Sequence, residues 1–261
     1  MVLRRSSASL AALCAVVLTT GACNLNISTG AEARDQWTRS YPISATGSLT
    51  IRTGNGIINV EAGDRATIEV TAERIAKAST DEAAKEQLAL FEIKEDVTAD
   101  RVVIDSAPQG GITINVSRRV NYTVRVPAGI NVTLESSNGE IVARGIAGAF
   151  SASSSNGRIR GEGLRGSIKA STTNGVIELG LDAVGPDGIK AETTNGMITV
   201  DLPANANADL SARVTNGEIS HDGLNVTVIE SSRRRLDGRV GTGGPLLSLE
   251  TTNGAVRVRG K

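Results

Sequence analysis

Ala170-Ser171-Thr172-Thr173-Asn174-Gly175-Val176-Ile177 reads locally as a turn between two strands. Glu192-Thr193-Thr194-Asn195-Gly196-Met197-Ile198 repeats it almost verbatim, and Glu250-Thr251-Thr252-Asn253-Gly254-Ala255-Val256 does so again. Asn-Gly pairs also stand at Asn55-Gly56, Asn138-Gly139, Asn156-Gly157 and Asn216-Gly217. The steps from Asn138 to Asn216 are 18, 18, 21 and 21 residues, a spacing that marks a repeat architecture. The last step, 37 residues, is about two periods, and Asp237-Gly238 stands near the place of a missing turn.

Other positions keep step with the asparagine. Three residues after it come Ile58, Ile141, Ile159, Ile177, Ile198, Ile219 and Val256. Six before it stand Leu49, Val132, Phe150, Ile168, Ile189, Leu210 and Leu247, and four before it Ile51, Leu134, Ala152, Ala170, Ala191, Ala212 and Leu249. Side chains alternate along a strand, so these even offsets define one apolar face, and the mostly polar residues between them define a wet one. Each copy is therefore strand, Asn-Gly corner, strand. Glycine and asparagine suit a corner because both tolerate positive φ.

Two architectures use such a unit: a meander of hairpins, in which Asn-Gly forms type I′ loops, and a β-solenoid, in which each copy is one coil. The register favours the solenoid. Stacked coils place like residues above one another, giving a continuous isoleucine core and a column of asparagine amides able to bond from coil to coil. A meander gives no reason for one residue type to recur in every slot. The predicted fold class is thus all-β, a repetitive parallel β-solenoid, over residues 41–261. One helical insertion near 80–91 is capped by Ser79-Thr80-Asp81-Glu82 and offers Ala83, Leu88 and Phe91 for packing. Strand-like runs at 67–72, 101–105 and 121–126 suggest an irregular N-terminal part of the same sheet system.

The N-terminus reads as an export signal over residues 1–22. Arg4 and Arg5 precede a short apolar run, Leu10 to Leu18, and then small residues. Leu18-Thr19-Thr20-Gly21-Ala22-Cys23 resembles the lipobox of bacterial lipoproteins, which implies that Cys23 is acylated and anchors the chain to a membrane. The alternative is a plain secretory signal cut near Ala22. The only other cysteine, Cys14, lies inside the leader, so the exported part has no disulfide. Residues 23–40 are small and polar and are expected to form a flexible tether. Asn24 after the cysteine, where an inner-membrane retention signal has aspartate, points the lipoprotein to the outer membrane of the cell envelope.

These features together resemble a bacterial family named "putative adhesin". The resemblance lies in the SSNG and TTNG corners, Val126-Pro127-Ala128-Gly129, and the closing run Gly243-Gly244-Pro245-Leu246-Leu247 to Asn253-Gly254. It implies an exported β-strand repeat protein and carries over no catalytic residues.

Charge is balanced, with 28 basic and 28 acidic residues, which excludes the basic excess of a nucleic-acid binder. Charges after the corners are mixed (Glu140, Arg158, Glu178, Glu218, Arg257) and form no acidic column of the kind polysaccharide-active β-helix enzymes use. His221, the one histidine, occupies an inward slot and reads as a filler of a coil edge. Arg233, Arg234 and Arg235 are the one dense basic run and the candidate contact for an anionic partner, though a solvated loop explains them as well. Aromatic residues are too few for an extended sugar-stacking cleft. The expected role is a non-catalytic binding, adhesion or scaffold module without cofactor or metal, whose partner is an envelope protein or polymer. The rival readings are a polysaccharide-active β-helix enzyme and an envelope sensor component.

Overall fold

A computed structural model describes residues 30–107 and 116–261 of the chain. The leader and Cys23 lie outside the described residues. The N-terminal portion comprises β1 (Ala31–Pro42), β2 (Ser48–Asn55), β3 (Ile58–Gly63), β4 (Thr67–Ala78), α1 (Asp81–Ala89), β5 (Lys94–Val97), β6 (Arg101–Ser106) and β7 (Ser117–Pro127). Three regular coils follow, each two strands joined at a corner: β8 (Asn131–Asn138) with β9 (Ile141–Arg144), β10 (Phe150–Asn156) with β11 (Ile159–Leu164), and β12 (Ile168–Asn174) with β13 (Ile177–Leu181). A fourth is β14 (Ile189–Asn195) with β15 (Ile198–Leu202). Then come β16 (Ala208–Asp222), β17 (Val226–Ser232), β18 (Arg235–Val240) and β19 (Leu246–Gly260).

The parallel register is that of a solenoid. Phe150 pairs with Val132 on one side and Ile168 on the other, and Asn156 with Asn138 and Asn174. Coils therefore stack about 4.8 Å apart, like over like. The strands before the corners make one face, in the order β5-β6-β2-β8-β10-β12-β14-β19-β16-β18-β17. Those after the corners make the second, in the order β1-β4-β7-β3-β9-β11-β13-β15-β19-β16. The predicted isoleucine columns lie between the faces in one continuous core. Each fully buried aliphatic side chain there contributes about 1.5–3 kcal/mol.

Two expectations are corrected. Asp237-Gly238 is no corner; both residues lie within β18, which runs antiparallel to β16 and β17. Order in space also departs from order in the chain: β19 inserts between β14/β15 and β16, so the Asn253 corner lies inside the stack and the Asn216 corner ends it. A period reports that coils stack, not in which order.

The tether expected over 23–40 is strand from Ala31 onward. Its charges find partners across β4, with Glu32 to Lys77 at 2.8 Å, Arg34 to Glu73 at 3.0 Å and Asp35 to Arg74. Trp37 packs against the core and Tyr41 is buried. The helical insertion is real: Thr80 accepts from the Ala83 amide at 3.2 Å, and Ala84 and Leu88 are buried.

Candidate binding surfaces

The corner residues Asn55, Asn138, Asn156, Asn174, Asn195, Asn253 and Asn216 form one row in that spatial order. Asn138 Nδ2 donates to Asn55 Oδ1 at 3.0 Å, and the same bond recurs for Asn156, Asn174, Asn195, Asn253 and Asn216 at 2.8–2.9 Å. Asn55 Nδ2 closes the row on the Arg118 carbonyl at 3.2 Å.

The paired glycines follow the same stack: Gly56, Gly139, Gly254 and Gly217 take the positive φ the sequence suggested, whereas Gly157, Gly175 and Gly196 are not among the positive-φ glycines. A Cβ on Gly175 would lie 1.9 Å from the Gly157 carbonyl oxygen, and one on Gly196 would lie 1.8 Å from that of Gly175. At Gly157, Gly175 and Gly196 close approach of coils, not φ, demands glycine.

The first threonine of each TTNG completes the corner. Thr172, Thr193 and Thr251 are buried, and their hydroxyls donate to the carbonyls of Gly157, Gly175 and Gly196 at 3.3, 3.2 and 3.0 Å. Ser154, in the equivalent slot, leaves its hydroxyl buried without a partner. The corner is thus a structural spine, and its side chains are engaged with one another.

The surface facing solvent beside it is chemically distinct. On the first face Ser155, Thr173, Thr194 and Thr252 stand in register and line a shallow concavity of about 400 Å³. Glu192 and Glu250 flank it side by side, with Glu192 paired to Lys190 at 2.8 Å. That contact raises the Lys190 pKa above the ordinary lysine value. The two carboxylates share one wall, whereas glycoside hydrolysis needs them on opposite sides of the scissile bond.

Near the starts of the strands on the same face a groove of about 590 Å³ exposes Lys169 and Lys190, with Ser151 and Ser248 beside them and Leu246 as an apolar wall.

The second face carries charge rows of alternating sign. Glu69, Arg125, Glu61, Arg144 and Glu162 are neighbours in register across five strands, and Asp201, Arg259 and Asp222 across three. Arg144 pairs with Glu162 at 3.1 Å, Arg160 with Glu178 at 2.9 Å and Arg259 with Asp201 at 2.6 Å. The sequence showed these charges as mixed; their order appears only once coils are stacked. Among the described residues no group of three or more His, Cys, Asp or Glu side chains could hold a metal ion.

Arg233 and Arg234 form the exposed tip of the β17–β18 hairpin, while Arg235 is bound to Asp237 at 2.6 Å and to Glu230 at 3.3 Å. The basic run is therefore divided: two solvated guanidiniums and one engaged. Asp237 is held below the usual carboxylate range, first by the Ser211 hydroxyl at 2.8 Å and then by Arg235. His221 lies on β16 in the slot paired with Val258 and is exposed, because β16 is the last strand of the second face. The surface the sequence left unnoticed is the pair Val228 and Ile229 on β17, 46% and 71% exposed.

The class this geometry defines is a two-faced β-solenoid built on a corner spine. Residues 131–259 match the family described as Toastrack DUF4097. Among solved structures the chain is similar to a putative cell adhesion protein from Clostridium sporogenes ATCC 15579. That likeness has 14% identity and a TM-score of 0.51, and it covers 88% of this chain and 100% of the other. A putative adhesin from Bacteroides fragilis NCTC 9343 aligns at 11% identity and a TM-score of 0.36, covering 87% and 97%. No curated protein matches the chain.

Proposed function

We propose that the chain is a lipid-anchored module of the cell envelope that binds or displays and does not catalyse: a stiff two-faced rod held to a membrane through acylated Cys23. The observation that carries this reading is the engagement of its repeated polar residues. The corner asparagines bond to one another, three of the buried threonines cap glycine carbonyls, and on the second face Arg144, Arg160 and Arg259 pair with Glu162, Glu178 and Asp201. What the rod offers to solvent is broad, regular surface. The fold shared with the Clostridium cell adhesion protein supports the same reading.

Fractionation of cells making the wild-type chain and Cys23→Ala tests the anchor. The wild type is expected in the membrane fraction and the variant in the soluble one; equal retention of both overturns it. Crosslinking in intact cells followed by purification of the wild-type chain tests display. A specific envelope protein or polymer is the expected product, and turnover of a polysaccharide by the purified chain would overturn the non-catalytic reading.

A further inference from the structure

At the end formed by β16, β17 and β18 the two faces are unequal. The first face continues past β16 by two strands, β18 and then β17. The second stops at the β16 segment 217–222, which pairs with β19 on one side and, among the described residues, with no strand on the other. The first face thus overhangs by about 10 Å, the width of two strands.

The underside of that overhang is apolar. Leu236, Gly238 and Val240 of β18 are buried, and Val226 and Val228 of β17 pair with Val240 and Gly238, so they share that inner face. Val226 still packs against the core, but Val228 is 46% exposed. Ile229 is the extra residue of a bulge between Val228 and Glu230. That bulge blunts the outer edge of β17 against strand pairing, whereas β16 runs without a bulge over 217–222 and is marked only by the acids Glu218 and Asp222, which select against acidic strands. The open place is beside β16.

We propose that the ledge between β16 residues 218–222 and the underside of β17 receives one extended strand of a partner protein, with aliphatic side chains inward and basic side chains outward. Backbone pairing along the open edge would supply the affinity, and the inward side chains would cover Val228. The charge of the partner follows from the rows on the second face. Sign alternates strand by strand in both, and the row Asp201–Arg259–Asp222 ends on an acid at the open edge. Glu218, also exposed on β16, adds a second negative charge. A lysine or arginine in the next strand continues the pattern; an acid there meets two carboxylates.

This names a partner for the display module and rests on that reading for its biological setting. Binding is measured in solution, so its failure leaves anchoring and display untouched. The probe is a synthetic peptide alternating valine with lysine, titrated into the full-length chain and followed by backbone hydrogen exchange. Protection of amides in 218–222 is expected. The charge-reversed peptide, with glutamate for lysine, is expected to bind at least about tenfold more weakly.

Val228→Asp and Asp222→Lys each alter an exposed residue, so the melting curve is expected to hold while affinity for the lysine peptide falls about tenfold or more. Unchanged exchange in 218–222, or equal binding of both peptides, overturns the proposal. Protection of 218–222 that rises with protein concentration alone also overturns it, because the occupant is then a second copy of the chain.

Discussion

Asn253 Nδ2 donates to Asn195 Oδ1 at 2.8 Å across a sequence separation of 58, while Asn216 lies outside both. The final strand of the chain is therefore an interior member of the stack, with β14 and β15 on one side and β16 on the other.

Truncation makes this testable. In a simple solenoid, removing the last strand peels off a terminal coil and spares the rest. Here, deletion of residues 245–261 withdraws the contact between β16 and the body. Hydrogen exchange on the truncated chain is expected to show lost protection over 208–240 as well. Retained protection there would mean that β16 can dock on β14 without β19.

The corner argument separates into chemically distinct substitutions. Gly175→Ala places a methyl group against the Gly157 carbonyl and is expected to cost more than about 3 kcal/mol in denaturant unfolding. Asn174→Ala breaks two ladder bonds and is expected to cost about 1–3 kcal/mol. Thr193→Val strands the Gly175 carbonyl and is expected to cost about 1–2 kcal/mol. Thr173→Ala, on the solvated side of the same corner, is expected to stay within about 0.5 kcal/mol of wild type. A ranking with Thr173→Ala as costly as Gly175→Ala would refute close approach as the reason for glycine.

Alkaline stability follows from the two tyrosines. Burial pushes the Tyr122 pKa up to about 12, against the smaller opposing effect of the Ser106 hydroxyl beside it. Tyr41 is raised too, by burial and by donation to the Glu95 carboxylate. A raised pKa means the fold holds protons that the unfolded chain releases above about pH 10. Stability from these groups is complete below that point and lost as pH climbs through the folded values. Melting temperatures measured from pH 8 upward are expected to fall beyond about pH 10, with a shallower fall in Tyr122→Phe. An identical alkaline profile for wild type and variant would remove Tyr122 from the account.

The parts of the fold legible in the sequence are those with local period. Leu49, Val132, Phe150 and Ile168 keep their distance from the asparagine, and in space they fall into one buried column. Three features escaped because they depend on residues far apart in the chain. The polar composition of β1 hid a strand whose charges are matched only across β4. Asp237-Gly238 looks like a corner dipeptide, yet the antiparallel return of β18 to β16 holds it in mid-strand. The order of β16 and β19 is invisible to periodicity because both carry the same corner. On the binding surfaces, the split of Arg233 and Arg234 from Arg235 depends on Glu230 and Asp237 closing around the last of the three. The apolar overhang at Val228 has no repeated pattern to announce it.

Every amide in the asparagine row donates toward the Arg118 end and accepts from the Asn216 end. Seven dipoles consequently point one way and polarise one another, so the spine has a sign at each terminus. Its electron-rich pole emerges at Asn216, beside the hairpin whose Arg234 carbonyl accepts from Val214 at 3.0 Å. The two ends of the spine are thus not interchangeable: one is closed on the Arg118 carbonyl and the other ends on an amide oxygen.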